Sequence, residues 1–107
     1  MIHEFQGING VTSHCDITIN GNVVICTELI SNPGTSVTNM AEAIADMVVA
    51  RYNLDPHKLI WLENYENNHN KFYDIVTFNY RDGRFTDPSW QSISSERAHV
   101  IWHTNSL

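Results

Sequence analysis

The amino-acid sequence predicts an α+β domain, a two-layer sandwich in which one main helix covers an antiparallel or mixed sheet of about five strands. Three observations predict it. A single long amphipathic run, residues 40–52, lies between short segments of strand character. Those segments are punctuated by turn dipeptides, Asn9-Gly10, Asn20-Gly21 and Asp82-Gly83, which suit hairpins. The hairpins gather on either side of the one helix, giving the order β-β-β-α-β-β-(β)-α. No repeat, linker or low-complexity tract interrupts the 107 residues, so residues 1–107 read as a single α+β domain with one modest core.

Ile2 to Ile8 reads as a first strand that turns at Asn9-Gly10. The second Asn-Gly pair lies between Ile17-Thr18-Ile19 and Val23-Val24-Ile25-Cys26 and completes a three-stranded meander. With Asn20 and Gly21 as the turn, Ile19 meets Asn22, Ile17 meets Val24, and Cys15 meets Cys26. A hydrogen-bonded cross-strand pair aims its side chains poorly at each other, so both cysteines are expected as reduced core residues. Two cysteines outside a Cys-x-x-Cys spacing are too few for a disulfide scaffold.

The helix follows Asn32-Pro33-Gly34-Thr35-Ser36. Met40, Ile44, Met47 and Val48 fall at i, i+4, i+7 and i+8, with Ala41, Ala45 and Tyr52 beside them, which is the spacing of one buried face. Asn39, Glu42 and Asp46 take the other side. Ser36 or Asn39 can cap the start, and Pro56 ends the run because the residue before a proline resists the helical region.

Lys58 to Glu66 and Lys71 to Tyr80 then read as two long strands joined by Asn67-Asn68-His69-Asn70. This loop sets Glu66 opposite Lys71, Glu63 opposite Asp74, Trp61 opposite Val76 and Leu59 opposite Phe78, with Ile60, Leu62 and Ile75 on the other face. Apolar residues on both faces make these central strands. Arg81-Asp82-Gly83-Arg84 returns a short edge strand, Arg84-Phe85-Thr86, which Asp87-Pro88 closes. Ser94 or Ser95 caps a last short helix through Trp102, with Ile93 stapled against Ala98. Thr104 to Leu107 is expected to fray.

Charge and composition narrow the function classes. Twelve acids against six bases give a net charge of -6, which argues against direct nucleic-acid binding, since that needs clustered Lys and Arg. No stretch approaches the roughly 20 apolar residues of a membrane span, and the N-terminus lacks a signal-peptide pattern, so a cytoplasmic protein is expected. No motif implies a cofactor. The weak metal candidates are Glu96, His99 and His103, one turn apart on the last helix, without the His-Glu-x-x-His pattern. Gly34, Thr35 and Ser36 lead into a helix N-terminus that can attract an anion, but they lack the Gly-Lys-Ser/Thr ending of a P-loop. Glu63 and Asp74, close across a hairpin, could do general acid–base work, yet no nucleophile is placed beside them.

Aromatic residues concentrate in the second half of the chain. Tyr65, Phe72 and Trp90, with the acids Glu63, Glu66 and Asp74, form the candidate partner-binding set, because aromatic side chains anchor interfaces. Val24-Ile25-Cys26-Thr27-Glu28-Leu29, Asn32 to Asn39, Ile60-Trp61-Leu62-Glu63 and Asp87-Pro88-Ser89-Trp90 together resemble small uncharacterised bacterial proteins associated with plasmids and other mobile elements. The resemblance covers about three quarters of the chain and carries over no functional residue, because that group has no established activity. It implies a bacterial cytosolic setting and an accessory role in a mobile element.

Two function classes follow. The first is a small non-enzymatic binding protein acting on a protein partner through an acidic and aromatic surface, as an inhibitor of a nucleic-acid-handling host defence system in the manner of an anti-CRISPR. The second is a small enzyme or ligand-binding domain using Gly34 to Ser36 or the Glu63/Asp74 pair. The first is preferred because the second lacks a complete set of chemical parts.

Overall fold

In a computed structural model, which describes residues 1–6, 12–29, 41–67 and 70–107, the chain forms one six-stranded sheet with a helix on each face. The elements are β1 (Ile2–Gln6), β2 (Thr12–Asn20), β3 (Val23–Leu29), α1 (Ala41–Tyr52), β4 (Ile60–Asn67), β5 (Asn70–Arg81), β6 (Arg84–Ile93) and α2 (Ser95–Thr104). The strands lie side by side in chain order. All neighbours are antiparallel except β3 and β4, which run parallel. That pair needs a long crossover, and α1 lies within it.

Alternation along the strands builds two cores. Ile17, Val24, Cys26, Trp61 and Val76 turn to one face and pack on Ile44, Ala45 and Val48 of α1. Val23, Leu62 and Tyr73 turn to the other, where Ala98 and Ile101 of α2 cover them. The central strands are therefore enclosed on both faces, as their apolar runs require.

The expected helix is present with the expected face. Ala41, Ile44, Ala45 and Val48 are buried, and Met47 and Tyr52 pack partly against them. Its end is a Schellman cap: Asn53 takes a left-handed φ of 54°, and the Leu54 N–H donates to the Val49 carbonyl at 3.1 Å. Asp46, assigned to the outer side, instead accepts from the Phe85 N–H at 2.8 Å and ties α1 to β6. The proposed caps at Ser36 and Asn39, and the turn at Asn9-Gly10, lie outside the described residues.

Three expectations are corrected. Asn20 pairs with Val23, so the central residues of the β2–β3 turn are Gly21 and Asn22, with Gly21 at φ 58°. Glycine at the first central position is what a type II′ turn needs. Cys26 consequently faces Ile17, and Cys15 faces Glu28. The two cysteines become diagonal neighbours on one face, both free and fully buried.

The second correction is at β6, which continues through Asp87-Pro88 to Ile93. Proline is tolerated there because β6 is an edge strand and Pro88 sits in a bulge. The third is the C-terminal segment. Ser94 caps α2 by accepting from the Arg97 N–H, and Asn105 ends it in a left-handed conformation, its own N–H bonded to the Ile101 carbonyl. Asn105 does not fray: its Oδ1 accepts from the Asn22 N–H at 3.1 Å, while Asn20 Nδ2 donates to the Trp102 carbonyl at 2.8 Å.

Candidate functional site

The β4–β5 register is the expected one, with Trp61 opposite Val76, Glu63 opposite Asp74, Tyr65 opposite Phe72 and Glu66 opposite Lys71. Trp61 and Val76 belong to the core beneath α1. Residues two apart on a strand share a face, so Glu63, Tyr65, Phe72 and Asp74 lie on the α1 side as well.

Trp90 joins them only because of the bulge. Thr77 pairs with Ser89, but Asn79 pairs with Thr86, so Asp87 and Pro88 together oppose Phe78. The extra residue reverses the alternation: Phe85 faces the α1 core before it, and Trp90 and Ser92 turn to that side after it. Asp87 holds the bulge at φ 51°. Its Oδ2 accepts from Asn79 Nδ2 at 3.1 Å and from Thr86 Oγ1 at 3.3 Å, and the Arg81 guanidinium stands 3.6 Å away. Arg81 and Asp87 are both exposed at the surface, so the ion pair adds little and the hydrogen bonds set the geometry.

The result is a corner of the sheet where β4, β5 and β6 present Tyr65, Phe72, Asp74 and Trp90 together. Phe72 is 54% exposed and Trp90 37%, while Tyr65 and Asp74 are half-buried. Asp74 Oδ1 accepts from the Ser92 hydroxyl at 3.2 Å, which fixes the carboxylate in the middle of the group. Nothing in the sequence pattern marked Ser92 for this role. The unusual Asp-Pro inside a strand was the available signal for the bulge.

Glu63, expected on the partner-facing surface, is fully enclosed and makes no surface contact. It accepts from the Trp61 indole Nε1 at 2.7 Å, and it hydrogen-bonds the Cys26 thiol. Cys26 in turn is hydrogen-bonded to Cys15, and this bond, burial and the nearby Glu63 carboxyl push its pKa up. A thiol so placed stays protonated and is a poor nucleophile. The two carboxyl groups of the Glu63/Asp74 pair thus occupy different environments, one inside the core and one at its margin.

The remaining sequence candidates are not brought to this corner. Glu96, His99 and His103 are exposed on α2, the helix of the opposite face, with the His99 and His103 ring centroids 6.4 Å apart. Among the described residues no group of three His, Cys, Asp or Glu is arranged to hold a metal ion. Gly34, Thr35 and Ser36 lie outside the described residues, and of Glu66 only the backbone pairing is described. No helix among the described residues is long and apolar enough to cross a membrane.

A cleft of about 300 Å³ opens where β5 runs on past Val76, the last residue with a β4 partner. Leu59, Trp61, Phe78, Tyr80 and Phe85 are among its apolar lining residues, with His57 and Asn79 among its polar members. Neither Glu63 nor Asp74 reaches it. Compared with known proteins, the chain matches no family model, no curated protein and no solved structure.

Proposed function

We propose that the chain is a small non-enzymatic binding protein that acts on a protein partner through the corner formed by Tyr65, Phe72, Asp74 and Trp90. The observation that carries this reading is the bulge at Asp87-Pro88, which turns Trp90 onto the side already occupied by Phe72 and Asp74. A large exposed aromatic side chain leaves apolar surface in water until a partner covers it, and tryptophan and tyrosine dominate the energetics of interfaces. The net charge of -6 favours a cationic partner surface. A bacterial cytosolic setting, an accessory role in a mobile element, and inhibition of a nucleic-acid-handling defence protein fit the same chemistry, since such a protein presents a basic groove.

A photoreactive residue at position 72, irradiated in bacterial cells, tests this. The expected result is one stoichiometric protein adduct that is lost in Trp90→Ala and retained in Val100→Ala, a control on α2. An adduct with nucleic acid, or none at all, overturns the reading. A second reading, a small-molecule binder, is favoured by the aromatic cleft, whose volume lies at the lower end for ligand pockets. A small molecule retained through purification and detected by native mass spectrometry is its expected sign.

A further inference from the structure

Among the described residues β6 is the last strand of the sheet, and after the bulge Ser89, Trp90, Gln91 and Ser92 are all exposed. A terminal strand presents outward N–H and C=O groups that can pair with another strand. Lysine, proline and bulges are the usual protection of such an edge; here Asp87 and Pro88 lie before the stretch and no lysine lies within it.

A residue placed opposite Ser92 on an added strand stands two strand spacings, about 9.6 Å, from Asp74. Only the short Ser92 side chain intervenes on that row. A long cationic side chain can lie over it and reach the carboxylate. Asp74 Oδ1 is taken by Ser92, and no other hydrogen bond to the Asp74 carboxylate is present among the described residues. Phe72 and Trp90 flank the row, one on either side, so that a flat cation between them has an aromatic ring to each side. Arginine fits this better than lysine, because its planar fork both stacks on rings and pairs with a carboxylate.

We propose that an extended, arginine-bearing segment of a partner protein pairs along the free edge of β6 from Ser89 to Ile93 and sets its guanidinium on Asp74 between Phe72 and Trp90. This rests on the protein-binding reading and adds the partner's backbone conformation and side-chain chemistry. Main-chain bonds along the edge supply affinity, and the acid between two rings supplies selection.

The test uses the whole chain and the synthetic peptide acetyl-Thr-Val-Thr-Val-Arg-Val-Thr-Val-Thr-amide, followed by amide and indole NMR shifts. Shifts should concentrate on Ser89 to Ile93 and the Trp90 indole. Replacing the peptide's arginine by lysine should weaken binding several-fold, and Asp74→Asn should weaken it about tenfold, as for loss of a charge-assisted bond. Two peptides N-methylated on alternate residues separate pairing from simple charge attraction: at least one must fail to bind. Equal binding of both, or shifts elsewhere, overturns the proposal. A dimer in sedimentation that Trp90→Ala dissolves also overturns it, since a second copy then takes the edge. A protein adduct at position 72 without peptide binding removes this inference and leaves the protein-binding reading standing.

Discussion

Val76 and Phe72 lie four residues apart on the same strand and the same face, yet one is 3% exposed and the other 54%. The difference lies in what stands above them. Ile44, Ala45 and Val48 of α1 close over the row of Trp61 and Val76, whereas the corner beyond it remains open. An aromatic residue there is available to a partner at no loss to the core. Stability and recognition are thus divided between two ends of a continuous surface, and substitutions should separate them.

The largest effect is expected at the covered end. Ile44→Ala should lower unfolding free energy by about 2–5 kcal/mol, as for a large-to-small change in a core, measured by denaturant titration. Phe72→Ala at the open end should stay within about 0.5 kcal/mol while losing the protein partner in a pulldown from bacterial lysate. Equal destabilisation by the two would erase the distinction. Next comes Gly21→Ala, which meets both a positive φ and the side-chain amide of Asn105, into which an added Cβ would run. A loss of about 2 kcal/mol or more is expected, with Asn105→Ala giving part of it.

Asp87→Ala should be milder, about 1–2 kcal/mol from the left-handed backbone and the lost hydrogen bonds to Asn79 and Thr86. Its sharper sign is a change in Trp90 indole shift and solvent exposure, because the bulge aims that ring. The smallest effect concerns His3, whose Nε2 lies 2.8 Å from the Tyr52 hydroxyl. Burial first, then Arg51 and the N-terminal ammonium, lower its pKa below 6.5. The unfolded chain therefore binds a proton more readily, so His3 favours folding above pH 6.5 and this contribution fades as pH falls through its depressed value. Thermal unfolding of the wild type should be more acid-sensitive between pH 7 and 5 than that of His3→Gln.

What the sequence made legible follows the same physical divisions. The β4–β5 register could be read because the short Asn-rich loop and the apolar pattern on both faces leave one alignment. The β2–β3 register could not, because Asn20-Gly21 and Gly21-Asn22 are both acceptable turns locally. Contacts from Asn105 and Ile60 to Asn22, more than 35 residues away, accompany the second. Asp87-Pro88 suggested a strand end because proline lacks a donor, a rule that lapses at an outer strand with a bulge. The candidate aromatic residues were legible by type, but the side on which Trp90 sits depends on one inserted residue. Glu63 looked like a surface acid, because nothing in the one-dimensional pattern shows the indole of Trp61 donating to it.

The parallel seam between β3 and β4 divides the sheet into two antiparallel meanders, each built from near neighbours in the chain. Such meanders can close quickly, whereas the seam must wait for a long crossover to be ordered. Across that joint, Asn105 of the second half grips the Asn22 backbone of the first and serves as its latch. Opening should therefore begin with the latch and spread to the seam, so that the amides of Asn22 and Ile60 lose hydrogen-exchange protection together while each meander keeps its own.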